Sequence, residues 1–233
     1  MDKKEVLIQV QSDLSRQIDR DVGFRLAYLD SRLNVLIAQP KVQFFQFEQN
    51  SFWMSVYSTI NWLAHFKFKK DKISDVKMIE WLSEVFDWPK DIATAFWLCG
   101  RHPIAHTGAR NFFYSEVVED VNGVNKHMYI DLSLDSPHNW QQSDTQYIAL
   151  PVSTKGDAFN PKSKLSGQQV IFFYEPLPDL IWNLANDIKK DVLIARYNEM
   201  RAYQKVYRGM PFLQDDGEMN RINNYLDIYP RSK

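Results

Sequence analysis

Residues 114–132 read YSEVVEDVNGVNKHMYIDL, and the reading of this stretch decides the fold. Asn-Gly is the dipeptide that most readily supplies the two positive-φ residues of a tight hairpin turn. Here Asn122-Gly123 is flanked by Tyr114 to Asp120 on one side and Lys126 to Leu132 on the other. Short β-branched and aromatic runs on both sides of such a pair predict an antiparallel hairpin. Because a lone hairpin is marginal in water, it needs partners. Tyr147 to Val152 and Gln169 to Tyr174 are the candidate third and fourth strands. Between them STKGDAFNPKSKLSG, rich in Gly, Pro, Ser and Lys, reads as a surface loop. The β-containing region is therefore expected over residues 111–175.

On both sides of this region the periodicity is helical. Leu7, Val10, Leu14, Ile18, Phe24, Tyr28, Leu33 and Leu36 form a stripe over residues 4–37, with Gly23 as a point of weakness and Pro40 beyond its end. If continuous, this helix reaches about 50 Å. A second stripe, Trp53, Val56, Tyr57, Ile60 and Leu63, runs from Ser51, a residue suited to an N-cap, to Phe66. Shorter helices are expected over residues 74–85 and 89–98, with Pro89 in a first turn and Gly100 just past a helix end. After the β region, Ile181, Leu184, Ile188, Val192, Ala195 and Tyr203 mark a long helix over residues 178–208. Its Asp179 lies near the start, and Lys205 and Arg208 near the end, as the helix dipole favours. The fold expected is mainly α: an asymmetric helical bundle with a small inserted antiparallel β-hairpin or sheet.

With 233 residues the chain can bury a full core, and one domain is expected over residues 1–233. Its parts are a helical portion over 1–108, the β-containing insertion over 111–175, and the helix of 178–208 returning to the bundle. Lysine and arginine total 28 against 29 aspartates and glutamates, so no global field draws the chain to a nucleic-acid backbone, and such a partner needs a local basic site. A single cysteine, Cys99, excludes an internal disulfide and fits a reducing, cytoplasmic compartment. The opening MDKKEVLIQVQ lacks a signal-peptide pattern, and no apolar run approaches the roughly 20 residues of a membrane span, so no membrane partner is expected.

One constellation carries chemistry. Residues 97–108 read WLCGRHPIAHTG, placing Arg101, His102 and His106 beside Gly100 and Pro103. A regular helix would set Arg101 and His106 about 140° apart, whereas a helix junction lets them converge. Arg101, a polar residue after it, three intervening residues and His106 resemble the Arg-polar-x-x-x-His motif of the HEPN superfamily of helical nucleotide-binding and RNA-cleaving domains. The resemblance covers these six residues and, loosely, the long flanking helices. It implies metal-independent cleavage of single-stranded RNA, without a cofactor, in a composite site at the interface of a homodimer. It also implies that His106 serves as general base or acid, that Arg101 holds the scissile phosphate, and that His102 orients the site or shares proton transfer. The sequence departs from the family pattern where the hairpin interrupts the helix that usually follows the motif, and where Pro103 stiffens the motif itself.

Plainer readings stand beside this one. Arg101 and His106 can cap a helix and satisfy a buried polar contact, and Cys99 reads as a small core residue. His65, His127 and His138 show no metal-ligand spacing. Lys67, Lys69, Lys70 and Lys72, interleaved with Phe66 and Phe68, form a basic run that attracts phosphate backbones or simply faces water. The rival functional class is a non-enzymatic helical domain that binds a nucleotide or another protein through the same region.

Overall fold

Apolar residues spaced three and four apart wind the first third of the chain into two long helices. In the computed structural model, which describes residues 3–38, 45–70, 72–101, 115–119, 125–134, 136, 146–152, 167–196, 198–200, 202 and 203, these are α1 (Lys3–Ala38) and α2 (Phe45–Phe68). Helix α1 runs unbroken through Gly23, where nothing lies within 4 Å of a built Cβ. Its buried stripe is Val6, Val10, Leu14, Ile18, Val22, Leu26, Leu29 and Leu36. Phe24 and Tyr28, expected on that stripe, lie off it and are each 56% exposed. Ser51 is not an N-cap, because α2 starts at Phe45 and Ser55 Oγ donates to the Ser51 carbonyl within the helix at 3.0 Å.

Then come α3 (Asp75–Phe86), α4 (Lys90–Thr94) and a π-helical turn, Ala95–Arg101. Ser74 stands at the N-cap of α3 in extended conformation, and Asp87, left-handed at φ 54°, closes it with its N–H on the Ser83 carbonyl. The inserted strands are β1 (Ser115–Glu119), β2 (Asn125–Ser133), β3 (Tyr147–Val152) and β4 (Gly167–Phe173), followed by α5 (Leu177–Ile194). The chain is thus mainly helical with a small inserted sheet.

Contacts divide the chain into two compact units. The first comprises Met1–Leu26, Thr59–Ile73 and Trp182–Lys233. Polar side chains tie its three segments together around an apolar core that includes Ile18, Leu63, Leu184 and Ile188. Gln11 Nε2 donates to the Ala195 carbonyl at 2.8 Å, and Lys189 Nζ reaches Asp19 Oδ1 at 2.5 Å. The Arg25 guanidinium lies over the Trp62 ring at 4.5 Å. The helix expected over residues 178–208 breaks here. Gln11 takes the Ala195 carbonyl, while the Arg196 N–H is accepted by Glu199 Oε2 at 2.7 Å, half of a capping box that starts a new turn. Residues 198–200 and 202–203 are helical again.

The second unit comprises Ala27–Ser58 and Ser74–Ile181 and holds the sheet. Strand order is β1-β2-β4-β3. β1 and β2 pair antiparallel, Glu119 opposite Asn125, as the hairpin reading requires, although Asn122 and Gly123 themselves lie outside the described residues. β3 and β4 are also antiparallel, but β2 and β4 run parallel, with Ile130 opposite Val170, so the sheet is mixed rather than wholly antiparallel. A parallel neighbour is commonly buried on both faces. Accordingly Val170, Ile171, Phe172 and Phe173 are all fully buried. Phe172 meets the rings of Trp88, Phe96 and Tyr147 at 5.4, 5.0 and 6.0 Å, whereas Ile171 and Phe173 cluster with Ile148. At the end of β4 the Tyr174 ring packs edge-on against Phe52 at 4.7 Å and its hydroxyl donates to Asp30 Oδ1 at 3.2 Å. Burial, reinforced by the nearby Asp30 carboxylate, pushes this phenol well above the ordinary tyrosine range.

Phe172→Ala removes the ring where β4 meets the aromatic cluster of the second unit. It is expected to cost about 3–5 kcal/mol in unfolding free energy, read as a lowered denaturant midpoint at unchanged slope.

Candidate functional site

Arg101 ends a turn that packs against Tyr57 of α2. In a π-helical turn each N–H reaches back five residues, which widens the backbone. The Tyr57 hydroxyl of α2 adds an outside donor to this turn, bonding the Phe96 carbonyl at 3.1 Å. Its ring lies 5.0 Å from Phe96 and 6.1 Å from Trp97. To make this approach the phenol needs the space of a missing side chain at Gly100. A Cβ there would overlap the hydroxyl and lie 3.2 Å from Tyr57 Cζ and 3.6 Å from Leu132 Cδ2. Gly100 therefore sits inside the π turn because of this contact, and not just beyond a helix end as expected. Nearby, Gln49 Nε2 donates to the Leu132 carbonyl at 3.1 Å and links β2 to α2.

The widened turn sets Arg101 over Trp97, four positions earlier. Its guanidinium carbon is 4.6 Å from the indole centroid. Trp97 is itself buried and fixed, since its Nε1–H donates to Asp75 Oδ1 at 2.7 Å. The same oxygen lies 3.7 Å from Arg101 Nη1, so ring and carboxylate together restrain the guanidinium. Even so, 29% of the Arg101 side chain remains exposed. The arrangement presents a cation of fixed orientation whose remaining N–H groups can meet a phosphate or carboxylate.

His102 and His106, the other two residues of the motif, lie outside the described residues. The four lysines do not share one environment. Lys67 is held between Asp187 and Asp191, at 2.8 and 2.9 Å. Burial alone would lower its ammonium, yet the hydrogen bonds and charges of those two aspartates outweigh it and hold Lys67 above the ordinary lysine value. Lys69, at positive φ, places its ammonium 4.7 Å over the Tyr203 ring. Lys70 and Lys72 are exposed. His65 is engaged locally: its Nδ1 is 2.7 Å from the Lys70 carbonyl and so carries the proton, and Asn61 Nδ2 lies 3.3 Å from Nε2. Cys99, the one cysteine of the sequence, is buried.

Asp75 and Trp97 were not singled out by the sequence. Asp75 is 22 positions from its indole partner, and Ser74-Asp75 reads only as a helix start. Among the described residues no three His, Cys, Asp or Glu side chains gather as metal ligands. Nor is any described helix long and apolar enough to cross a membrane. No protein-family model, curated protein or solved structure matches this chain.

The Tyr57–Gly100 contact predicts a measurable coupling. Gly100→Ala is expected to cost about 1–3 kcal/mol through overpacking. Adding Tyr57→Phe removes the atom that would clash, so the double variant should be less destabilised than the sum of the singles by about 1 kcal/mol in a denaturation cycle.

Proposed function

We propose that this chain is a HEPN-like, metal-independent endoribonuclease that cleaves single-stranded RNA in a composite site formed by Arg101, His102 and His106 of two copies. The observation that carries the reading is the restrained but partly exposed Arg101 guanidinium, seated at the end of a π-helical turn. Such turns recur at functional sites. Five positions on stands His106, a residue able to exchange protons near neutral pH.

In this mechanism the ribose 2′-oxygen attacks the adjacent phosphorus and the bond to the 5′-oxygen breaks. The 2′-hydroxyl proton passes to one His106, and the departing 5′-oxygen takes a proton from His106 of the second copy. Arg101 binds the phosphate and stabilises the charge that grows on it. His102, directly after Arg101, orients the pair. DNA lacks the 2′-hydroxyl and is not a substrate. A single, buried cysteine, Cys99, suits a reducing, cytoplasmic setting.

The rival reading is a non-enzymatic helical domain that binds a nucleotide or another protein through the same Arg101 and His106 region, which needs no proton-transfer geometry. Nucleotide binding with no cleavage would single it out.

The test uses purified protein, a chelator and a mixed-sequence fluorescent RNA, with matched DNA as control. Wild type should yield 2′,3′-cyclic phosphate ends and sediment as a dimer. His106→Ala is expected to lower turnover about 10²–10⁴-fold, and Arg101→Ala about 10²–10³-fold, both with the wild-type circular dichroism spectrum. Cleavage undiminished in both variants would remove these residues from the mechanism.

A further inference from the structure

We infer that Asp75 is a positioning residue for Arg101, acting through its carboxylate charge beside the Trp97 ring, and that it lowers the affinity of the ground-state phosphate while raising turnover. This rests on the RNA-cleaving reading above. Asp75 is the first residue of α3, so its backbone is set by a helix start and its carboxylate stands at a fixed point. From that point a single oxygen, Oδ1, accepts the Trp97 Nε1–H at 2.7 Å and lies 3.7 Å from Arg101 Nη1. Trp97 is only 1% exposed, so its ring is a rigid plate, and the guanidinium rests on it at 4.6 Å. Plate and carboxylate together leave the cation little freedom to swing.

As a contribution to folding this ion pair is weak, because both partners are partly exposed, 29% for Arg101 and 42% for Asp75, and the separation exceeds a hydrogen bond. Its consequence lies in geometry. An arginine that must meet a phosphate at one angle gains from being held there before substrate arrives, and a loosely held catalytic group forfeits rate. The carboxylate also repels an incoming phosphate, which weakens initial binding.

Asp75→Asn separates these effects cleanly. The asparagine Oδ1 still accepts the indole N–H, so the plate stays while the negative charge facing Arg101 is lost. For cleavage of the fluorescent RNA, kcat should fall about 10- to 100-fold, with KM unchanged or lower and the thermal midpoint unaltered. Asp75→Glu, which restores a carboxylate, should recover part of the lost kcat. A purely structural role would instead move the thermal midpoint and raise KM. If Asp75→Asn left kcat unchanged or raised it, the carboxylate would be no more than a competing charge and the inference would be overturned. An inactive wild type, or an Arg101→Ala variant as active as wild type, would overturn the RNA-cleaving reading itself, and that result is visible before any Asp75 variant is compared.

Discussion

A phenol and a glycine that share one space set the local geometry of the candidate site. Tyr57 can deliver its hydroxyl to the Phe96 carbonyl because Gly100 presents no side chain, and the backbone around that bond is a π-helical turn. From it follow the stacking of Arg101 on Trp97 and the seating of Leu132 of β2 against Gly100. A hydrogen bond of this kind contributes about 1 kcal/mol net.

Each compact unit solves its burial problem with different chemistry. In the second, aromatic rings do most of the joining: Trp88, Phe96, Tyr147 and Phe172 meet edge-on or tilted, the geometries their quadrupoles favour. In the first, long polar side chains reach between segments distant in sequence. Lys67 satisfies two aspartates at once, and Gln11 closes the carbonyl left open at the end of α5. Partly buried charges of this sort are tolerated because each has a partner.

Much of the fold was legible, and the misses share a cause. Ile18, Tyr57, Leu63, Leu184 and Ile188 announce helices because their spacing is a local property, and each is buried as expected. The four strands likewise fall close to the runs that suggested them. What failed depended on residues far away. Nothing around Ala195 and Arg196 resembles a helix stop, since the break is made by Gln11, 184 positions earlier. Gly100 looks like a terminator until Tyr57 is brought beside it. Adjacency of β2 and β4 is invisible to a hairpin signal, which speaks only for β1 and β2. At the candidate site, Arg101 was found from a short motif, while Asp75 and Trp97, which hold it, carry no sequence mark of that role. His102 and His106 lie outside the described residues.

The Tyr57 hydroxyl holds the π-helical turn beneath Arg101. Amide hydrogen exchange in Tyr57→Phe against wild type tests it most directly. Losing one hydrogen bond should accelerate exchange of the amides between Phe96 and Arg101 about 5- to 10-fold, with those of α3 unchanged. Exchange that stays the same within the turn, or that accelerates equally throughout the second unit, would contradict it.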